Sequence, residues 1–280
     1  TVATLEQAVS SAFENGQTVY LGGFTHLVPF AAGHELIRQG YSNLTVCRPN
    51  PDMVFDQLIA SGAVSKLVFS YFPFRCFRRA VESGIPNEIE LEEYTHFGTI
   101  SRIAAGAFNL PFLPLRSFSG SDLPAHNDRI KSVTDPYGGE EIPVVPALEP
   151  DVGVIHVPRA DPTGNAQVWG ILGELRHLAF AADTVIVTAE EVVDESLVRS
   201  DPNRNIPGSQ VDYVVEEPFG AHPSYVQGYY DRDQQAYDDW NERSTSHEAV
   251  KEWLEEWVYG VEDRTEYLEK LGTAYLQDLR

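Results

Sequence analysis

Two carboxylates and an imidazole stand within five residues in Glu92-Glu93-Tyr94-Thr95-His96, directly after the short β-prone run Ile89 to Leu91. An ionised carboxylate can orient a substrate or take a proton, and an imidazole can donate a hydrogen bond to an oxyanion. The ends of strands in open α/β sheets are where ligands gather. Glu93 is therefore read as a substrate-orienting group or base, and His96 as an oxyanion donor. The competing reading is a solvated loop in an acid-rich protein. A second centre is made of backbone. Val19 to Leu21, Gly22-Gly23-Phe24 and the stretch from Pro29 to Gly40 read as strand, glycine turn and helix. Paired glycines permit positive φ and a close approach to the backbone, and helix N-termini favour anions. No G-x-G-x-x-G is present and no Gly-Lys-Ser/Thr follows, which excludes the dinucleotide fingerprint and the P-loop. An ordinary tight strand-to-helix connection accounts for the same residues. Gly120-Ser121, after Leu110-Pro-Phe-Leu-Pro114, is a further candidate substrate turn.

Positioning these groups requires a scaffold, and the pattern supplies one. Short apolar runs alternate with helical periods, the signature of a layered α/β fold with an open, mostly parallel sheet and flanking helices. Thr4-x-x-Gln7 predicts a capping box opening a first helix that Gly16 closes. Strands are expected at 19–21, 44–47, 67–71, 89–91, 152–157, 184–188 and 212–215, and helices at 53–61, 75–83, 100–107 and 174–182. Asp161-Pro-Thr-Gly164-Asn165 reads as a hairpin turn inserted in the parallel scheme, with Trp169 packing behind it. Thr245-x-x-Glu248 predicts another capping box, ahead of an apolar stripe from Val250 to Val258. Asp263 to Leu271 is expected as the last helix. The whole is read as one domain over 1–280 with a C-terminal helical segment at about 245–272.

Composition narrows the function classes. The chain has 280 residues, 42% of them hydrophobic, enough for a sizeable core. It carries 42 acidic against 20 basic residues, a formal net charge of -22. Nucleic-acid binding needs a basic face, and none is evident. No run approaches the ~20 apolar residues that span a bilayer, and no signal-like stretch follows Thr1, so a cytoplasmic location away from membranes is expected. Cys47 and Cys76 are read as reduced, buried thiols, and no metal-ligand spacing occurs. Only four of the basic residues are lysines (Lys66, Lys131, Lys251, Lys270). An acid-rich, lysine-poor surface suits high salt, where self-repulsion is screened. The expected consequence is a melting temperature that rises from low to molar salt. A flat or falling series would remove the salt-adapted reading.

Several motifs occur in a fixed order: Gly22-Gly23-Phe24, Leu110 to Pro114, Gly120-Ser121, Asp201-Pro202 with Ile206-Pro207-Gly208-Ser-Gln-Val211-Asp212, and Gly220-Ala-His222-Pro-Ser224 followed by Gly228-Tyr-Tyr-Asp231. Together they resemble the A subunits of the class I coenzyme A transferases, of the glutaconate CoA-transferase type, over about residues 4–271. The resemblance implies a ping-pong transfer of CoA between carboxylic acids through a glutamyl-CoA thioester, with the nucleophilic glutamate on a partner B subunit. It also implies acyl-CoA and carboxylic acids as substrates, no permanently bound cofactor, and a hetero-oligomer such as A2B2 or A4B4. No nucleophile is therefore assigned to this chain. Glu93 and His96 become auxiliary groups, and Gly22, Gly23, Phe24, Tyr71, Gly120 and Ser121 become substrate or CoA contacts. Glu14-Asn15-Gly16 imitates the element around the family's nucleophile but is read as the end of the first helix.

The sequence departs from the pattern after Tyr71, where Phe72-Pro73-Phe74 runs directly into Arg75 in place of a longer glycine-containing loop. That loop helps to recognise substrate, which leaves the acyl group open. Two alternatives remain beside transfer: a CoA-thioester or ring-opening hydrolase on the same scaffold with Glu93 as base, and a non-catalytic acyl-CoA binding protein.

Overall fold

The computed structural model describes residues 1–201 and 204–280, so Pro202 of the Asp201-Pro202 element lies outside the described residues. The strands are β1 (Thr18–Leu21), β2 (Leu44–Cys47), β3 (Val64–Phe69), β4 (Glu90–Glu93), β5 (Phe112–Pro114), β6 (Lys131–Thr134), β7 (Glu141–Pro146), β8 (Val152–Ala160), β9 (Ala166–Gln167), β10 (Thr184–Val192), β11 (Arg204–Ile206) and β12 (Tyr213–Glu216). The helices are α1 (Leu5–Ala12), α2 (Phe30–Arg38), α3 (Met53–Ala60), α4 (Arg75–Ser83), α5 (His96–Ala107), α6 (Leu123–His126), α7 (Leu175–Ala181), α8 (Glu195–Ser200), α9 (Gln234–Arg243), α10 (His247–Leu254), α11 (Arg264–Leu271) and α12 (Thr273–Asp278).

Parallel pairing runs β12-β10-β8-β1-β2-β3-β4. Strand order therefore reverses at β1: the chain builds outward through β2, β3 and β4, then returns to place β8 on the other side of β1. Such a reversal opens a crevice at the carboxyl ends of the strands. Gly22 and Gly23 leave β1 at that point.

Alternation along the strands covers both faces of the sheet. Val19, Leu21, Val46 and Leu67 join the core beneath α1 to α4, whereas Tyr20, Cys47, Val68 and Ile155 join the core that holds α5 and α7. Burial raises the Cys47 thiol to about 12, and both cysteines are free and buried, as their apolar neighbours in the sequence imply. Among the described residues no helix is long and apolar enough to cross a membrane.

The Thr4/Gln7 capping box forms as predicted, and the turn at Asp161 leads into β9, antiparallel to β8. Other expectations shift. Glu92 and Glu93 belong to β4 rather than to a loop, because the strand continues two residues past Leu91 in register with Val68 and Phe69. The second capping residue is Ser246, not Thr245, since the Thr245 hydroxyl turns back to the Glu242 carbonyl. Asp263 caps α11, but α12 follows after Gly272, and α9 begins the helical segment at Gln234. The small antiparallel sheet β5-β7-β6 has no counterpart among the expected strands. Prolines at Pro114, Pro143 and Pro146 break its alternating pattern. Pro114 lies on the edge strand β5, where a missing donor is tolerated, whereas Pro143 and Pro146 lie on the central strand β7, where the Pro143 carbonyl still accepts from the Leu115 N–H (2.7 Å) and Pro146 is the last residue of the strand.

Candidate active site

The Gly-Gly turn is shaped by what crowds it. A Cβ on Gly22 would lie 2.5 Å from Leu175 of α7, and one on Gly23 would lie 2.3 Å from the Leu27 carbonyl oxygen, with Gly23 at φ +83. Thr25 and Leu27 also adopt positive φ, at 55 and 60 degrees. A side chain in that region costs about 1–3 kcal/mol and persists only where neighbours impose it. The neighbours are the residues after Gly220. Ser224 Oγ donates to the Thr25 carbonyl (2.9 Å), Leu27 N–H to the Tyr225 carbonyl (3.1 Å), and Gln227 N–H to His26 Nε2 (3.0 Å). Two motifs almost 200 residues apart thus form one structure.

His26 is fully buried and lies 4.7 Å from the Tyr225 ring, centroid to centroid. Burial lowers it to about 4, so it is neutral and its Nε2 is free to accept. His34 is likewise lowered by burial, to about 3. Both contribute stability that is complete above the unfolded value near 6.5 and is lost as pH falls toward 4 and 3, because the unfolded chain takes up the protons first. Thermal melts between pH 7.5 and 4.5 should fall less steeply in His34→Gln than in the wild type. Parallel curves would refute the contribution.

Of the three turn amides, Gly22 donates to the Val154 carbonyl (2.8 Å) and Phe24 to the His26 carbonyl (2.9 Å). The Gly23 N–H has no acceptor among the described residues. The start of α2 is not open to an anion: Phe30 N–H donates to Val28 and Ala31 N–H to Gly220, and the turn is buried. Phe24 packs edge-on against His96, at 5.5 Å between centroids. Thr95 caps α5, so His96 is the first residue of that helix, and its ring is exposed.

Beneath the turn lies a charge pair that no sequence motif announced. Arg48, the residue after β2, is 1% exposed; it contacts Glu174 (2% exposed side chain) and donates to the Leu21 carbonyl (3.3 Å). A charged residue directly after an apolar strand was the available signal. A second buried network joins His156 Nε2 to Glu190 (2.8 Å), His156 Nδ1 to Thr188 (2.8 Å), and Glu190 to the Tyr230 hydroxyl and the Phe219 N–H. His222 bridges Asp233 (2.9 Å) and the Tyr267 hydroxyl (3.1 Å). These networks fix the segment that clamps the turn.

The two carboxylates of the acidic motif separate. Glu92 is buried against Lys66, Arg102 and the Tyr94 hydroxyl at 2.7–2.8 Å. Burial alone would raise its carboxyl, but these partners hold it below the usual carboxylate range. Glu93, opposite Phe69 at the end of β4, is exposed and its carboxylate has no partner among the described residues. It lines an open cleft of about 640 Å³ along β4, with Lys66, His126 and Arg129. Tyr71 stands 65% exposed after β3, its N–H tied to the Pro49 carbonyl (3.3 Å). Gly120, at φ +79, and Ser121 follow Phe118, whose ring fills the space beside Gly98 in the first turn of α5. The structure thus joins Gly22, Gly23, Phe24 and His96 in contact and sets Gly120-Ser121 near the start of α5. Glu93 shares the strand-end side but opens into the edge cleft.

A family model described as Coenzyme A transferase matches residues 2–217. The chain belongs to that family. It is similar to the A subunit of the 3-oxoadipate CoA-transferase of Pseudomonas knackmussii, at 42% identity over 276 residues, covering 96% of this chain and 97% of that one. It is similar also to the cholesterol ring-cleaving hydrolase IpdA subunit of Rhodococcus jostii, at 30% identity over 93% of this chain and 92% of that one. The crystal structure of glutaconate coenzyme A-transferase from Acidaminococcus fermentans superposes with a TM-score of 0.94 at 33% identity, covering 99% of this chain and 95% of that chain. Within this CoA-transferase family fold, the Gly22-Gly23-Phe24 turn follows the strand at which the order reverses.

Proposed function

We propose that this chain is the A subunit of a two-subunit CoA-transferase that moves CoA between small carboxylic or dicarboxylic acids, within a hetero-oligomer such as A2B2 or A4B4. The observation that carries the reading is the unpartnered Gly23 N–H at the strand-order reversal, beside the Phe24–His96 pair. This is half of an acyl-transfer site: a donor for a developing oxyanion, with its nucleophile still to be supplied. Glu174 is consumed by Arg48, and Glu93 opens into the edge cleft. Around the turn, Phe97 (58% exposed), Ile171 (43%) and Tyr71 (65%) leave apolar surface bare, as a surface covered by a partner does.

In this reading a glutamate carboxylate of the partner attacks the thioester carbonyl carbon. The C–S bond breaks, the CoA thiolate leaves, and a mixed anhydride remains. The thiolate then attacks the glutamyl carbonyl carbon, releases the first acid as its carboxylate, and leaves a glutamyl-CoA thioester. The carboxylate of the second acid reverses the sequence. Each tetrahedral oxyanion accepts from Gly23 N–H, with His96 as a second donor; one such donor is worth about 10²–10³ in rate. Covalent capture divides one difficult exchange into two easier ones.

The ring-cleaving relative and the unpartnered Glu93 carboxylate favour a second reading, hydrolysis with Glu93 as base. Quenched single-turnover mass spectrometry separates the two. The isolated chain should show neither turnover nor a borohydride-sensitive adduct, whereas the assembled pair should carry a CoA thioester on the partner. In Glu93→Gln that adduct should still form, with kcat changed less than about tenfold. A loss of about 10²–10⁴ in kcat with no covalent adduct in either protein would overturn transfer in favour of hydrolysis, and turnover by the isolated chain would refute the shared site.

A further inference from the structure

Three separate stretches of the chain meet at His26, whose ring is fully buried. The first is the turn itself: the His26 carbonyl accepts from the Phe24 N–H (2.9 Å), on the residue next to Gly23. The second is the segment after Gly220. The Tyr225 ring lies 4.7 Å from the imidazole between centroids, residues 26 and 225 form an isolated parallel bridge, and the Gln227 N–H donates to Nε2 (3.0 Å). The third is the approach to α7. Trp169 Nε1 donates to the Gln227 carbonyl (2.8 Å), and a Cβ on Gly170, which has φ +80, would lie 2.8 Å from His26 Cε1. No larger residue fits beside the ring at that point.

We propose that His26 is a positioning residue for acyl transfer: its Nε2 ties the turn to Gln227, and its carbonyl holds the Phe24 amide, and with it the Gly23 N–H, in line with the developing oxyanion. The inference rests on the transferase reading above and names the residue that keeps its donor in place. A turn of this shape does not hold itself, because Thr25 and Leu27, on either side of His26, both lie in the left-handed region at a cost of about 1–3 kcal/mol each. The tethers from Ser224 to Thr25 and from Leu27 to Tyr225 use backbone atoms of the turn. The tether at His26 uses its side chain, so it is the one that a substitution can remove. Since Nε2 faces a fixed N–H donor it carries no proton, and the neutral ring keeps its proton on Nδ1. Burial, which lowers the ring to about 4, maintains that neutral form.

The test is quenched single-turnover mass spectrometry of the partner thioester in the assembled pair at neutral pH, with steady-state kcat and KM beside it. His26→Leu keeps an apolar side chain of similar size and removes the acceptor. It should lower the single-turnover rate and kcat by about 10–10²-fold, since a misplacement of about 1 Å can cost 10²-fold. KM should change less than about threefold, because the donor acts once charge has developed. His26→Gln sets Oε1 as many bonds from Cβ as Nε2 and should keep the rate within about threefold of wild type. A purely structural role would lower the melting temperature of both variants without separating their rates. Full rate in His26→Leu, or equal losses in the two variants, would overturn the proposal. A second readout needs no variant: long-range ¹H–¹⁵N spectra of the wild-type full chain should show Nδ1 protonated and Nε2 bare. A protonated Nε2 would overturn the proposal even if His26→Leu fails to fold. A wild-type pair that forms no thioester would instead refute the transferase reading, whatever the tautomer.

Discussion

Gly23→Ala in the assembled enzyme should lower kcat by about 10²–10³-fold while leaving the fold intact enough to pair. The methyl group would meet the Leu27 carbonyl oxygen at 2.3 Å and the His26 carbonyl oxygen at 2.7 Å, and it would sit at φ +83. All of these contacts are backbone, so the turn itself must move, and the Gly23 amide moves with it. The loss should fall on kcat and on the single-turnover rate of thioester formation rather than on KM, since the donor matters most when charge has developed. Gly40→Ala is the control. Gly40 has φ +76, and a methyl group there would find nothing within 4 Å, so the substitution bears a conformational cost of about 1 kcal/mol without displacing a donor. Full kcat in Gly23→Ala, or an equal loss in Gly40→Ala, would refute the assignment of Gly23.

Glu174→Gln should destabilise the chain by about 3–5 kcal/mol, because it leaves the Arg48 guanidinium buried opposite a neutral amide. Replacing both, Arg48→Met with Glu174→Leu, should recover most of that loss, since apolar residues of similar size often substitute for a buried pair at little cost. The pair connects the end of β2, the Leu21 carbonyl before the Gly-Gly turn, and the residue that precedes α7. Activity in the double variant therefore reports positioning apart from stability. Urea melts of the two single variants and the double variant give the coupling. A coupling energy under about 1 kcal/mol, the value of an exposed pair, would show that burial does not govern it.

The local rules of the sequence were enough for the elements that each stretch can form alone. The Thr4/Gln7 capping box, β2 at Leu44–Cys47 and α4 at Arg75–Ser83 appear where their spacing placed them, because caps and periodicity depend on neighbours a few residues away. The order of the five motifs was enough for the family. Only the tertiary structure decided how those motifs are used. Whether Gly23 or Phe24 keeps a free amide depends on the His26 carbonyl and on the segment after Gly220, and no local pattern links residues so far apart in the chain. Glu92 and Glu93 are adjacent and chemically identical, yet one is locked by Lys66 and Arg102 while the other opens into the edge cleft, because successive residues of a strand point to opposite faces. The same holds for Arg48 and Glu174. Their partnership spans 126 residues and arises from the reversal of strand order at β1, which brings the end of β2 and the start of α7 beneath one turn.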